Sequence, residues 1–102
     1  MSTLSYVNVF ARDIEALSGF YRELFGFRNI PEIASPIFRG LDTGKSCIGF
    51  NAPDAYELLQ LDEFADTRGC KFLLNIDVES KEEVDRLVPI AVAMGATLIK
   101  AP

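Results

Sequence analysis

The chain has 102 residues, 49% of them apolar and 25% charged, a balance that suits one soluble domain with a modest core. Its net charge is −5 and its pI is near 4.6, which argues against nucleic acid and anionic membrane surfaces as partners, because both select clustered Lys and Arg. No apolar run approaches the ~20 residues of a membrane span and no leader pattern is visible, so the expected location is cytoplasmic.

Residues 4–11 are rich in β-branched and aromatic types and predict a strand. Asp13 is a good N-cap. Behind it Ile14, Leu17, Tyr21, Leu24 and Phe25 fall on one helical face, and Gly26 stands where a left-handed residue ends a helix, so a helix is expected over 13–25. Residues 27–33 predict a second strand that Pro31 interrupts, and 38–42 a third. Thr43-Gly44-Lys45 supplies a turn into a fourth strand at 46–51. This first module, 1–53, therefore reads β-α-β-β-β. Residues 54–69 read as a linker with a short helix, anchored by Tyr56, Leu58, Leu59, Leu61 and Phe64.

The pattern then begins again in a second, partial module, 70–102. Residues 70–78 form a near-continuous apolar run that predicts a strand. Ser80 and Glu83 make a capping box. Val84, Leu87, Val88 and Ala91 give the stripe of the next helix, which contains Pro89 and ends at Gly95, and 96–100 predict a further strand. Cys47 and Cys70 are isolated, and two thiols fit the spacing better than a disulfide.

Strand alternation separates two faces. In the first strand Val7 and Val9 lie on one side, and Tyr6, Asn8 and Phe10 on the other. In 71–78 Phe72, Leu74, Ile76 and Val78 oppose Leu73, Asn75 and Asp77. The purely apolar set is expected under the helices, and the mixed set on the concave side. Asn8 and Asn75 then occupy equivalent places in the repeat. They either orient a ligand or satisfy each other across the modules. Tyr6 either stacks on a ligand or packs its ring with its tip wet. Phe10, Phe38 and Phe50 form either an apolar wall or ordinary core. Asp77 is a candidate base or a solvated carboxylate. Arg39 faces either an anion or solvent. Cys47 lacks a histidine to activate it, since the chain contains none.

A duplicated β-α-β-β-β unit with Phe20-Tyr21-Arg22-Glu23-Leu24-Phe25-Gly26-Phe27 closing its first helix resembles the vicinal oxygen chelate superfamily. Residues 9–13, 75–78, 82–85 and 95–98 extend the likeness over almost the whole chain. The superfamily includes glyoxalase I, extradiol dioxygenases, fosfomycin-resistance enzymes and bleomycin-binding proteins. The resemblance implies an α+β fold of tandem βαβββ modules, and two further strands would be needed after 96–100 to complete the second. Truncation of a longer chain is the favoured expectation, since an open apolar edge invites aggregation. The resemblance also implies a homodimer.

The superfamily's first metal ligand would align with Tyr6 and its counterpart in the second module with Leu73. A third ligand would come from the strand holding Cys47, Ile48, Gly49 and Phe50, and the last would lie beyond 96–100. Such sites use imidazole nitrogen and carboxylate oxygen. Leucine offers no donor atom, and a phenol with an ordinary pKa near ~10 is a poor ligand. The expectation is therefore a binder of a small apolar or aromatic molecule with no metal and no cofactor. Tyr6, Asn8, Phe10, Phe50, Leu73 and Asn75 would line its cup. Two alternatives stand beside it: a metal-dependent lyase or dioxygenase with ligands supplied beyond Pro102, and a non-catalytic structural homologue.

Overall fold

In the computed structural model, which describes residues 1–69 and 72–102, the chain divides into two compact units, Met1–Thr67 and Arg68–Pro102. The first unit opens with β1 (Tyr6–Phe10), and Asp13 then turns the chain into α1 (Ile14–Phe25). The Asp13 carboxylate accepts from the Ala16 amide at 3.0 Å, satisfying one of the helix's orphan donors. Gly26 ends α1 at φ 72°, where a side chain would be strained, and its amide donates to the Arg22 carbonyl at 2.8 Å.

Three strands follow: β2 (Arg28–Asn29), β3 (Phe38–Asp42) and β4 (Cys47–Asn51). The expected second strand, 27–33, is cut to two residues. Pro31 has no amide to give a ladder, and Pro31–Ile33 winds into a 3₁₀ turn instead. The sheet order is β1-β4-β3-β2; β1 runs parallel to β4, and the other pairs are antiparallel. The segment read as a linker with a short helix contains α2 (Asp54–Leu58) and a 3₁₀ turn at Asp62–Phe64.

The register fixes what each face carries. Val7 and Val9 pair with Ile48 and Phe50, and Arg39 and Leu41 pair with Phe50 and Ile48, so all six side chains share one face. That face lies under α1. Leu41 and Phe50 are 0% exposed, Val9, Ile14 and Ile48 are buried with them, and the Tyr21 ring sits 5.8 Å from Phe50. Arg39 is tied to Glu15 of α1 at 2.9 Å.

The second unit holds α3 (Lys81–Ala93). The Ser80 hydroxyl accepts from the Glu83 amide at 3.2 Å, as the capping box requires. Leu87 is buried, and Val84, Val88 and Ala91 are half-buried, so the expected stripe is the inner one. Pro89 lies inside the helical span on an exposed position. The two strands expected here are not formed: among the described residues, 72–78 and 96–100 carry no strand pairing, and Cys70 and Lys71 lie outside the described residues. The first unit supplies the reason. There the strand before the helix pairs with the fourth strand and the strand after it with the third. The described second unit contains neither partner, and a lone strand leaves its backbone groups unpaired. The alternation survives without the pairing. Leu74, Ile76 and Val78 are half-buried, whereas Leu73, Asn75 and Asp77 are exposed; Phe72, grouped with the buried set, is 54% exposed.

Amide hydrogen exchange of this chain is expected to show strong protection at 48–51 and little at 73–78. Equal protection of the two segments would contradict the pairing described. Phe50→Ala is expected to cost about 3–5 kcal/mol in urea denaturation, because it empties a fully enclosed position.

Candidate functional site

The other face of the sheet carries Tyr6, Asn8 and Phe10 from β1, Cys47, Gly49 and Asn51 from β4, and Phe38, Gly40 and Asp42 from β3. Two glycines stand opposite each other here, Gly40 against Gly49. With no Cβ on either, the sheet leaves a trough, and the side chains of Asn8, Ile33 and Phe38 fill it. A Cβ on Gly49 would overlap the Asn8 side-chain oxygen and come within 2.8 Å of the Phe38 ring. A Cβ on Gly40 would meet Ile33 at 2.7 Å.

Aromatic rings stand around this trough. Phe10 stacks on Tyr56 of α2, with ring centroids 4.0 Å apart and planes 12° from parallel. Tyr6 leans towards Phe38 at 6.4 Å. Between them lies an amide pair: Asn51 Nδ2 donates to Asn8 Oδ1 at 3.1 Å and to the Val9 carbonyl at 3.1 Å. Asn51 is 6% exposed and Asn8 is exposed, so the pair reaches from the interior to the surface.

Charge on this face is already neutralised. Asp42 accepts from the Gly44 amide at 2.8 Å and from Arg28 Nη2 at 2.8 Å. These bonds, the Gly44 amide first, hold its carboxyl below the usual carboxylate range. Burial, followed by the neighbouring Cys47, pushes the Tyr6 phenol above its ordinary value, so it stays protonated at neutral pH.

Of the six residues expected to line a cup, the structure brings Tyr6, Asn8 and Phe10 together on this face. Phe50 does not join them. It lies on the opposite side, beneath α1, because Gly49 and Asn51 take the alternate positions of β4. Leu73, 80% exposed, and Asn75, also exposed, belong to the second unit. Asn8 takes its amide partner from Asn51 of its own unit. Asn51, Gly49 and Tyr56 were missed. The alternation rule, applied to β4 as it was to β1, separates Ile48 and Phe50 from Gly49 and Asn51 and would have found two of them. Tyr56 carried no signal beyond being an aromatic in a mixed segment. A shallow groove of about 930 Å³ beside α2 is lined by Tyr56 with Ile37, Leu58 and Ala65 among others, and by none of the six expected residues.

The donor set does not fit the divalent metal of the superfamily. Tyr6 is a protonated phenol, Leu73 has no donor atom, and Asp42, the carboxylate on this face, is already bound by Arg28 and Gly44. Among the described residues no group of three His, Cys, Asp or Glu side chains is arranged to hold an ion. Nor is any helix among them long and apolar enough to cross a membrane. Cys47 is a half-buried free thiol.

Gly49→Ala is expected to destabilise the chain by about 1–3 kcal/mol in urea denaturation, since the added methyl displaces Asn8 and Phe38. The depressed carboxyl of Asp42 sets a direction with pH. Its contribution is present above the ordinary carboxylate pKa of about 4 and fades as pH falls through its lower folded value. The stability gap between the native chain and Asp42→Asn should therefore be larger at pH 7 than at pH 3. A gap that grows on acidification would contradict the assignment.

No family model matches the chain, and no curated protein matches it. Solved structures do. A glyoxalase/bleomycin resistance protein/dioxygenase family enzyme from Burkholderia phytofirmans PsJN is 68% identical, with 99% of this chain and 80% of that one covered and a TM-score of 0.96. A hypothetical protein from S. aureus matches at 20% identity and a TM-score of 0.79, covering 100% of this chain and 76% of that one. Lactoylglutathione lyase from Agrobacterium tumefaciens matches at 18% identity and a TM-score of 0.61, covering 98% and 75%. The last two likenesses speak for the fold alone. The repeated pattern, the βαβββ sheet and the 68% identity together establish that this chain belongs to the glyoxalase/bleomycin resistance protein/dioxygenase family, within the vicinal oxygen chelate superfamily.

Proposed function

We infer that the protein binds a small apolar or aromatic molecule on the open face of its first sheet, without a divalent metal. One observation carries this reading: this face presents two aromatic pairs, Tyr6 with Phe38 and Phe10 with Tyr56, beside an amide pair, and its carboxylate is already held by Arg28. Flat rings offer large contact area at little cost in side-chain entropy, and an amide between them offers orientation. Tyr6, Asn8, Phe10, Phe38 and Tyr56 are the contact residues of this reading. Leu73 and Asn75 hold the equivalent exposed positions of the second unit and are proposed as contact residues there in their own right. Cytoplasmic location and pairing as a homodimer are proposed from family likeness.

Metal analysis and a thermal-shift screen against aromatic compounds test the reading together. The purified chain is expected to carry no stoichiometric Zn, Ni, Mn or Fe, and a ligand hit should raise the melting temperature equally with and without chelator. Phe10→Ala or Tyr56→Ala should weaken the hit about 3–10-fold, the worth of one aromatic contact. Stoichiometric metal whose removal abolishes binding would defeat the proposal.

A further inference from the structure

The amide pair at the trough has a fixed polarity, and the polarity can be read from one backbone atom. The Val9 carbonyl can only accept a hydrogen bond. Asn51 lies 3.1 Å from it, so Asn51 must turn its NH₂ group that way. The same nitrogen lies 3.1 Å from the Asn8 side chain, which must therefore answer with its oxygen. An amide that spends its oxygen inward has its NH₂ directed to the other side. For Asn8, an exposed residue of the edge strand β1 whose oxygen lies over Gly49 of β4, the other side is solvent. Gly49 makes the arrangement possible, since any Cβ there would occupy the space of the Asn8 oxygen.

The other polar groups on this face do not offset that polarity. Asp42 has both carboxylate oxygens engaged, one by Gly44 and one by Arg28. Asn51 is enclosed. Beside the Tyr6 hydroxyl, which can turn to donate or accept, the Asn8 NH₂ is a donor held in one orientation.

We propose that Asn8 is a specificity-determining donor and Asn51 its positioning residue, and that the ligand of this face carries a carbonyl or other acceptor oxygen on an aromatic body. The proposal rests on the reading of this face as a binding site and adds the ligand's chemistry to it. A preset donor favours a ligand oxygen because no rotamer freedom is lost when the bond forms. A hydrocarbon of the same shape leaves the NH₂ desolvated and unpaired.

A matched pair of probes tests it: 2-acetylnaphthalene and 2-isopropenylnaphthalene, which differ by an oxygen in place of a CH₂. Calorimetry is expected to give about 3–10-fold tighter binding for the ketone, the worth of one net hydrogen bond. Asn8→Asp keeps the oxygen that Asn51 holds but turns an acceptor outward, so the ratio of ketone to hydrocarbon affinity should fall to about one or below. Asn51→Asp should let Asn8 turn over, with the same loss of preference. Asn51→Asp buries a charge, so Asn8→Asp decides the matter if that variant does not fold.

Equal binding of the two probes to the native chain would overturn the proposal and leave the aromatic site standing. Binding of neither would remove both. A fall in affinity for both probes alike in Asn8→Asp would reduce Asn8 to a structural role and overturn its assignment. Hydrogen exchange of the side-chain NH₂ groups reads the lock with no probe present: Asn51 should exchange slowly and Asn8 near the rate of free amide. The reverse order would contradict the polarity on which the proposal stands.

Discussion

The parallel pairing of β1 with β4 is the constraint from which the rest follows. It sets Asn8 against Gly49, Val9 against Phe50 and Phe10 against Asn51. A shift of one residue would move every side chain to the wrong face. In the observed register Val9 and Phe50 close the core beneath α1, while the glycine gives Asn8 room to lie across the neighbouring strand. Core and candidate site are two faces of one ladder, so the packing that excludes water on one side fixes the amide geometry on the other.

The same ladder explains why the two halves of the repeat differ. Each opening strand of the pattern needs the fourth strand of its own module, and each strand after the helix needs the third. The first unit has all four, and its strands form. In the described second unit the helix forms from local signals, namely the Ser80 cap and the buried Leu87 stripe, because a helix satisfies its backbone internally. A strand cannot do so. Residues 73–78 keep the inside-outside alternation of a strand without its hydrogen bonds.

What could be read from the sequence follows this division. Helix ends were legible at Asp13, Gly26 and Ser80, where a single side chain or a single φ decides the outcome. The third and fourth strands were legible from turn residues and patterning. Tyr6, Asn8 and Phe10 were placed on one face correctly, since alternation within one strand is local. Phe50 lies on the core face because it shares its parity with Ile48, and aromatic character says nothing about the face a strand residue takes. Alternation within β4 gives Asn51 its face, but its bond to Asn8 and the stacking of Tyr56 on Phe10 are made across the fold and are not local. β2 is shorter than the expected 27–33 because Pro31, which has no amide to donate, starts a 3₁₀ turn.

Family membership does not supply the chemistry, since a shared scaffold serves many reactions. The positions where the superfamily resemblance implies a first metal ligand and its counterpart are Tyr6, a protonated phenol, and Leu73, which has no donor atom. The chemistry left to the open face is that of shape, aromatic contact and one oriented amide. A two-dimensional ¹H–¹⁵N spectrum titrated with 2-acetylnaphthalene examines that account most directly. Shifts should concentrate at Tyr6, Asn8, Phe10, Gly49 and Tyr56, with the Asn8 side-chain NH₂ moving most. Shifts confined to Asp54, Leu58 and Ala65, in the groove beside α2, or an unchanged spectrum, would contradict it.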